Sequence, residues 1–125
     1  MEFGEKIKHK RIELKMSQQA LADKSGLSLR SIQNYESGTR HPANVSIVKD
    51  IAKVLGTSYE YLLDDKSQYV IEAAMRGGEE AALDIDRLLS DIQGVFAGGF
   101  ISQEDKDKVM RAINEIYWES KDKAK

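Results

Sequence analysis

Apolar residues in the first half of the chain fall into short helical stripes, set apart by residues that start or stop helices. Phe3, Ile7 and Leu14 keep helical spacing with lysines between them, which predicts an amphipathic helix over residues 3–16. Ser17 precedes a second run, Gln18-Gln19-Ala20-Leu21-Ala22-Asp23-Lys24, and a serine there caps well because its hydroxyl accepts from an orphan first-turn amide. Gly26 closes that run, where a left-handed residue costs little. Ser28 and Gly38 bracket a third helix, 29–37. Asn44 and Gly56 bracket a fourth, with Val45, Val48, Ile51, Ala52 and Leu55 on one face. Ser58 opens a short fifth helix holding Tyr59, Tyr61, Leu62 and Leu63. Connections this short suit a compact bundle. Asp64-Asp65-Lys66-Ser67-Gln68 is polar throughout and reads as a linker, so a domain over 1–64 and a tail over 65–125 are expected.

The tail is simpler. Residues 68–76 are ambiguous: Tyr69-Val70-Ile71 suits a strand or a helix, while Glu72-Ala73-Ala74-Met75 favours a helix. Gly77-Gly78 breaks the run. A helix over 79–97 carries Ala82, Ile85, Leu89, Ile92 and Phe96 in one stripe, joined by Leu88 and Val95. Gly98-Gly99 ends it. Ser102 and the acids after it suit the start of a final helix, with Val109, Ile113, Ile116 and Tyr117 as its stripe. The expected fold class is all-α, five short helices followed by an antiparallel helical hairpin. Two amphipathic helices rarely bury enough surface alone. Leu88, Leu89, Ile92, Phe96, Ile113, Ile116, Tyr117 and Trp118 exceed what one hairpin hides, so a homodimer interface is expected through Leu88, Leu89, Ile92, Phe96, Ile113, Ile116 and Tyr117. Docking of the tail onto the first domain is the rival arrangement.

Composition narrows the function classes. Of 125 residues, 41% are apolar and 32% charged, which suits a folded helical protein. No apolar run nears the roughly 18 residues of a membrane span, and the first residues lack a signal-peptide core, so a cytoplasmic location without membrane contact is expected. Cysteine is absent, and His9 and His41 have no metal-ligand companions, so both read as ordinary surface residues. Asp84, Asp86 and Asp91 lack the spacing of a calcium loop and read as a solvated acidic face. Lys6, Lys8 and Lys10 likewise read as a solvated face. Gly77-Gly78 lacks the context of a phosphate loop. With no nucleophile motif, no catalysis, cofactor or metal is expected. Residues 1–63 carry ten Lys/Arg against seven acids, and residues 64–125 nine against fourteen. The basic half suits a polyanion and the acidic half is repelled by one.

Residues 18–35 carry the sharpest pattern. Two short helices joined by Gly26-Leu27 cross steeply only if the contact is small and the turn permissive; Ala22 and Gly26 supply both. Leu21 and Ile32 fill the space between the helices and Tyr35 closes the underside, a helix-turn-helix whose second helix is free to enter a major groove. The run from Gln18 to Ser28, followed by Ile32-Gln33-Asn34-Tyr35-Glu36-Ser37-Gly38, Pro42 and the blocks 51–58 and 61–63, resembles the Xre, or lambda-repressor-like, DNA-binding family.

The resemblance covers about half the chain. It implies a five-helix domain that binds operator DNA, usually as a dimer. By position in the family pattern, Gln18 is expected to contact a phosphate, and Ser28, Leu29 and Arg30 to open the recognition helix, with Gln33 and Asn34 further along it. Arg30 suits guanine, Asn34 adenine, and Leu29 a thymine methyl. Arg40, Asn44 and the backbone around them suit phosphate. Arg11 and Glu36 match a family pair that forms a partly buried salt bridge. The expected function is a dimeric repressor of double-stranded DNA with a pseudo-palindromic operator. The alternative is an antitoxin or other interaction module whose acidic tail binds a partner protein.

Overall fold

The computed structural model describes residues 2–99 and 101–123. These form seven helices: α1 (Phe3–Glu13), α2 (Gln18–Ser25), α3 (Leu29–Ser37), α4 (Val45–Leu55), α5 (Tyr59–Leu62), α6 (Ser67–Phe96) and α7 (Gln103–Lys123). The all-α expectation holds, and no helix among the described residues is long and apolar enough to cross a membrane. The expected caps are in place. Ser17 accepts from the Ala20 amide at 3.0 Å, Ser28 from Ser31 at 3.0 Å, Asn44 from Ile47 at 3.0 Å and Ser58 from Tyr61 at 3.2 Å. Gly26, Gly38 and Gly56 end their helices in the left-handed region.

The first core is built from α1–α5. Ile7, Leu21, Ala22, Ile32, Val48, Ile51 and Leu62 have no exposed surface, and Leu55 almost none. Each large aliphatic buried this way contributes roughly 1.5–3 kcal/mol. Helix α1 approaches α3 closely at Gly4, where an added Cβ would lie 2.3 Å from the Tyr35 carbonyl oxygen. The stripe predicted for α1 ends early. Leu14 is 50% exposed at the helix C-cap, and Lys15 turns left-handed (φ 54°) to lead the chain into α2.

The polar stretch read as a linker is instead a tight junction. Asp64 Oδ1 accepts from the amides of Lys66 (3.0 Å) and Ser67 (2.9 Å), while Ser67 Oγ accepts from the Asp64 amide at 2.9 Å. Asp64 Oδ2 accepts from the Phe3 amide at 3.1 Å. One carboxylate therefore sits at the starts of both α1 and α6, where helix dipoles favour negative charge. Lys66 is 6% exposed, and its ammonium meets Asp86 at 2.8 Å, Ser90 at 2.6 Å and Glu2 at 3.2 Å. His41 Nε2 lies 3.3 Å from the other Asp86 oxygen. The acidic face expected at Asp84 and Asp86 is thus engaged rather than solvated, since Asp84 also accepts from the Tyr117 hydroxyl at 2.9 Å.

Helix α6 has two arms, 67–77 and 79–96, that double back at Gly78. The contacts are symmetric about that residue: Lys66 meets Ser90, and Val70 and Ala73 share a core with Ala82 and Ile85. Gly78 has φ 77° and ψ −168°, a region essentially restricted to glycine. The ambiguous Tyr69-Val70-Ile71 is helical, with Ile71 in the first core and Tyr69 and Val70 in a second. Met110 and Trp118 of α7 complete that second core, and α7 runs antiparallel to the second arm as expected of a hairpin.

Two outcomes follow for stability. Gly78→Ala is expected to cost about 1–3 kcal/mol in urea unfolding, whereas Gly94→Ala, in the last turn of α6 with open space at its Cβ position, is expected to be neutral or stabilising by up to about 1 kcal/mol. Equal effects at the two sites would contradict the reversal. For Asp86, burial pushes the carboxyl up, but the contacts with His41 and Lys66 outweigh it and bring it to about 2 from an ordinary 3.8. A depressed value means stability fully present above the ordinary pKa and lost as pH falls through about 2, on the order of 2 kcal/mol. The stability gap between wild type and Asp86→Asn should accordingly be widest near neutral pH and shrink below about pH 4. A gap that persists down to pH 2 would show that the carboxylate charge is not what matters.

Candidate nucleic-acid interface

Helices α2 and α3 form the helix-turn-helix, and what fixes α3 is a buried charge pair. Arg11 Nε and Nη2 donate to the two Glu36 carboxylate oxygens at 2.8 and 2.9 Å, and Nη1 donates to the Met16 carbonyl at 2.9 Å. One guanidinium thus ties α1 and the turn before α2 to α3, in the two-toothed geometry that arginine matches best. The hydrogen bond to Glu36 holds the Arg11 pKa above its ordinary value. Gln18 Nε2 also donates to Glu36, at 3.2 Å, so the side chain expected at phosphate spans the start of α2 and α3.

On α3, Ile32 and Tyr35 point into the core while Arg30 and Gln33 are exposed. Burial pushes the Tyr35 hydroxyl pKa up. Leu29 and Asn34 are half-buried. Asn34 Oδ1 accepts from Thr39 Oγ1 at 3.3 Å, and its carbonyl accepts from the amides of Thr39 (3.0 Å) and Arg40 (3.3 Å). Ser28 and Asn44 spend their side-chain oxygens on capping α3 and α4, so what they add to this surface is chiefly helix N-terminal amides. Arg40 is exposed in the loop after α3. The arrangement presents Arg30, Gln33 and Arg40 to solvent around two helix N-termini, a surface that suits a phosphate backbone and base edges.

Among the lysines of α1, Lys6 has a structural role, because its ammonium donates to the carbonyls of Tyr61 and Leu63 at 3.0 and 2.9 Å, at the end of α5. No cluster of metal-ligating side chains occurs among the described residues. The residues missed in the sequence are Thr39, which braces Asn34, and His41, whose imidazole faces the tail. Thr39 carried a weak signal, since a hydroxyl just after a glycine stop often bonds the last turn; His41 carried none.

The residues expected at a dimer interface divide by burial. Leu89 is fully enclosed in its own chain's second core, where the arms of α6 pack, and so serves the protomer. Ile113 and Tyr117 are half-buried against that core, and Ile92 and Phe96 are half-buried. Leu88 is 39% exposed and Ile116 63%, and Val95, on the same helix as Leu88, is 73% exposed.

Residues 7–62 match the family model described as helix-turn-helix. A prophage-derived HTH-type transcriptional regulator of Bacillus subtilis, YonR, is 30% identical over 110 residues, covering 86% of this chain and 89% of that protein. That alignment runs well into the tail. A transcriptional regulator in the ATPase CF(0) region of Rhodospirillum rubrum is 36% identical over 62 residues, 50% of this chain and 56% of its own. A second B. subtilis regulator, YqaE, is 35% identical over 65 residues, 52% of this chain and 55% of its own. A SinR–SinI complex structure aligns over 95% of this chain and 98% of that one at 18% identity, with a TM-score of 0.48.

The Arg11–Glu36 pair gives a further expectation. Glu36 is 4% exposed, so Arg11→Ala strands a buried carboxylate and is expected to cost about 3–5 kcal/mol. The double variant Arg11→Met/Glu36→Leu should recover most of that loss, as measured by calorimetric Tm. A double variant no more stable than the single one would show that the pair does not act as a unit.

Proposed function

The chain belongs to the helix-turn-helix family of transcriptional regulators, and from that premise we propose that it is a dimeric repressor of a pseudo-palindromic operator. Its recognition helix is α3. Arg30 reads a guanine, Asn34 an adenine, and Leu29 and Gln33 flank them, while Gln18, Ser28, Arg40 and Asn44 hold phosphates. The observation that carries this reading is the solvent-facing set Arg30, Gln33 and Arg40 on a helix anchored from behind by Arg11–Glu36. The dimer forms through the apolar face that the hairpin leaves open, with Leu88, Val95 and Ile116 at its centre and Ile92, Phe96, Ile113 and Tyr117 around it. The tail also packs on the first domain, through Ile71 and the Lys66–Glu2 and His41–Asp86 contacts, yet those contacts leave this face uncovered.

Selection of bound fragments from the source genome at physiological salt, followed by footprinting, tests the reading. The expected result is an inverted repeat with half-sites about 34–36 Å apart or a multiple of that. Arg30→Ala should cost about 1–3 kcal/mol on that site and relax one base position, and Ile116→Lys should give a monomer with weak operator affinity. No enrichment over random fragments would overturn the repressor reading and favour a partner protein on the acidic tail.

A further inference from the structure

The loop between α3 and α4 carries Arg40, and it is held at two points. On one side, the Thr39 and Arg40 amides donate to the Asn34 carbonyl at 3.0 and 3.3 Å. On the other, the next residue, His41, turns its side chain inward to 14% exposure and places Nε2 3.3 Å from Asp86 Oδ2, at ion-pair distance though without the alignment of a hydrogen bond. Pro42 behind it is fully buried. Asp86 lies 46 positions beyond Arg40, in the second arm of α6, and is itself fixed by Lys66 at 2.8 Å. The groups facing His41 come from three places: Asp86 from the second arm, Lys66 from the start of α6, and Glu79, Tyr35 and Arg40 around the cleft beside Gly78.

We propose that His41 and Asp86 are positioning residues for DNA binding: the tail, through this contact, holds the Arg40 loop in the place where Arg40 meets a phosphate. The inference rests on the reading of Arg40 as a phosphate contact. An arginine on a short loop loses much of its contribution if the loop must be ordered on binding, because fixing each backbone residue costs roughly 1–2 kcal/mol. A loop pinned beforehand by Asn34 and Asp86 avoids that cost. The helix-turn-helix segment therefore depends on a carboxylate outside it.

Phosphate contacts are independent of sequence, so the probe is a fluorescein-labelled duplex of random sequence, titrated by anisotropy over a range of salt concentrations. Arg40→Ala should lower the slope of log K against log salt by about 0.9 per protomer. His41→Ala, which leaves Lys66–Asp86 intact, should lower the same slope and weaken binding about 3–10-fold, equivalent to about 0.7–1.4 kcal/mol. The double variant should bind no worse than Arg40→Ala alone, a non-additivity that general destabilisation does not produce. His41→Gln, whose amide N–H can donate to Asp86, should restore most of the affinity. If His41→Ala loses its helical ellipticity, Asp86→Asn, which keeps an oxygen for Lys66, replaces it in the same cycle. An unchanged slope for Arg40→Ala overturns the phosphate reading of Arg40 and this inference with it. A slope that falls for Arg40→Ala but not for His41→Ala, or effects that add in the double variant, leaves Arg40 as a contact and overturns the positioning role.

Discussion

A lysine ammonium that is 6% exposed stays charged only if oxygen atoms surround it, and Lys66 finds three, on Asp86, Ser90 and Glu2. Two belong to the second arm of α6 and one to the N-terminal segment, so satisfying this one group brings the tail back against the start of the chain. The rest of the tail follows. For residues 86 and 90 to return to residue 66, the helix must reverse at residue 78, where the chain has a glycine in a conformation other residues rarely adopt. Once the arms lie side by side, Tyr69, Ala73, Ile85 and Leu89 share a core, and α7 covers it with Met110 and Trp118. The contacts of Lys66 with Asp86 and Glu2 keep its pKa raised even though burial lowers it.

In the proposed dimer this junction matters for function, because two half-sites are read at once. Recognition helices on flexible tethers tolerate many spacings, whereas helices joined rigidly to a dimer face select one. Here α3 is fixed to α1 by Arg11–Glu36, α1 and α6 share the Asp64 cap, and α6 carries the apolar face proposed for the dimer. The path from the proposed interface to the proposed DNA contacts therefore runs through packed helices and buried charge.

Much of the first domain was legible in the sequence, because its signals are local. Ser17, Ser28, Asn44 and Ser58 act within three residues of themselves, and a glycine stop needs only its own backbone. Ala22 and Ile32 were legible through the two-helix pattern. The Arg11–Glu36 pair came through the family resemblance, since nothing in either residue alone indicates burial. The tail was harder to read for a physical reason. Lys66 and Asp86 are charged, and a charged residue reads as solvated unless its partner is near in sequence; the charged partners of Lys66 lie 20 and 64 positions away. Gly77-Gly78 announced a break but not a reversal, because the sign of the turn depends on what the arms bury. Gly4 and Leu14 failed in a related way, since close approach and exposure are set by the facing helix rather than by spacing along α1.

The tail is built into the first domain rather than tethered to it, a difference that native-state hydrogen exchange can read. The amide of Ile32 in α3 reports the first core, and that of Leu89 in α6 the second. If Lys66 and Asp64 join the cores into one cooperative unit, both amides exchange through the same global opening, with one free energy and one dependence on denaturant. Exchange of Leu89 at a markedly lower free energy than Ile32 would mean that the tail opens alone, as a tethered unit does, and that the two cores are not joined.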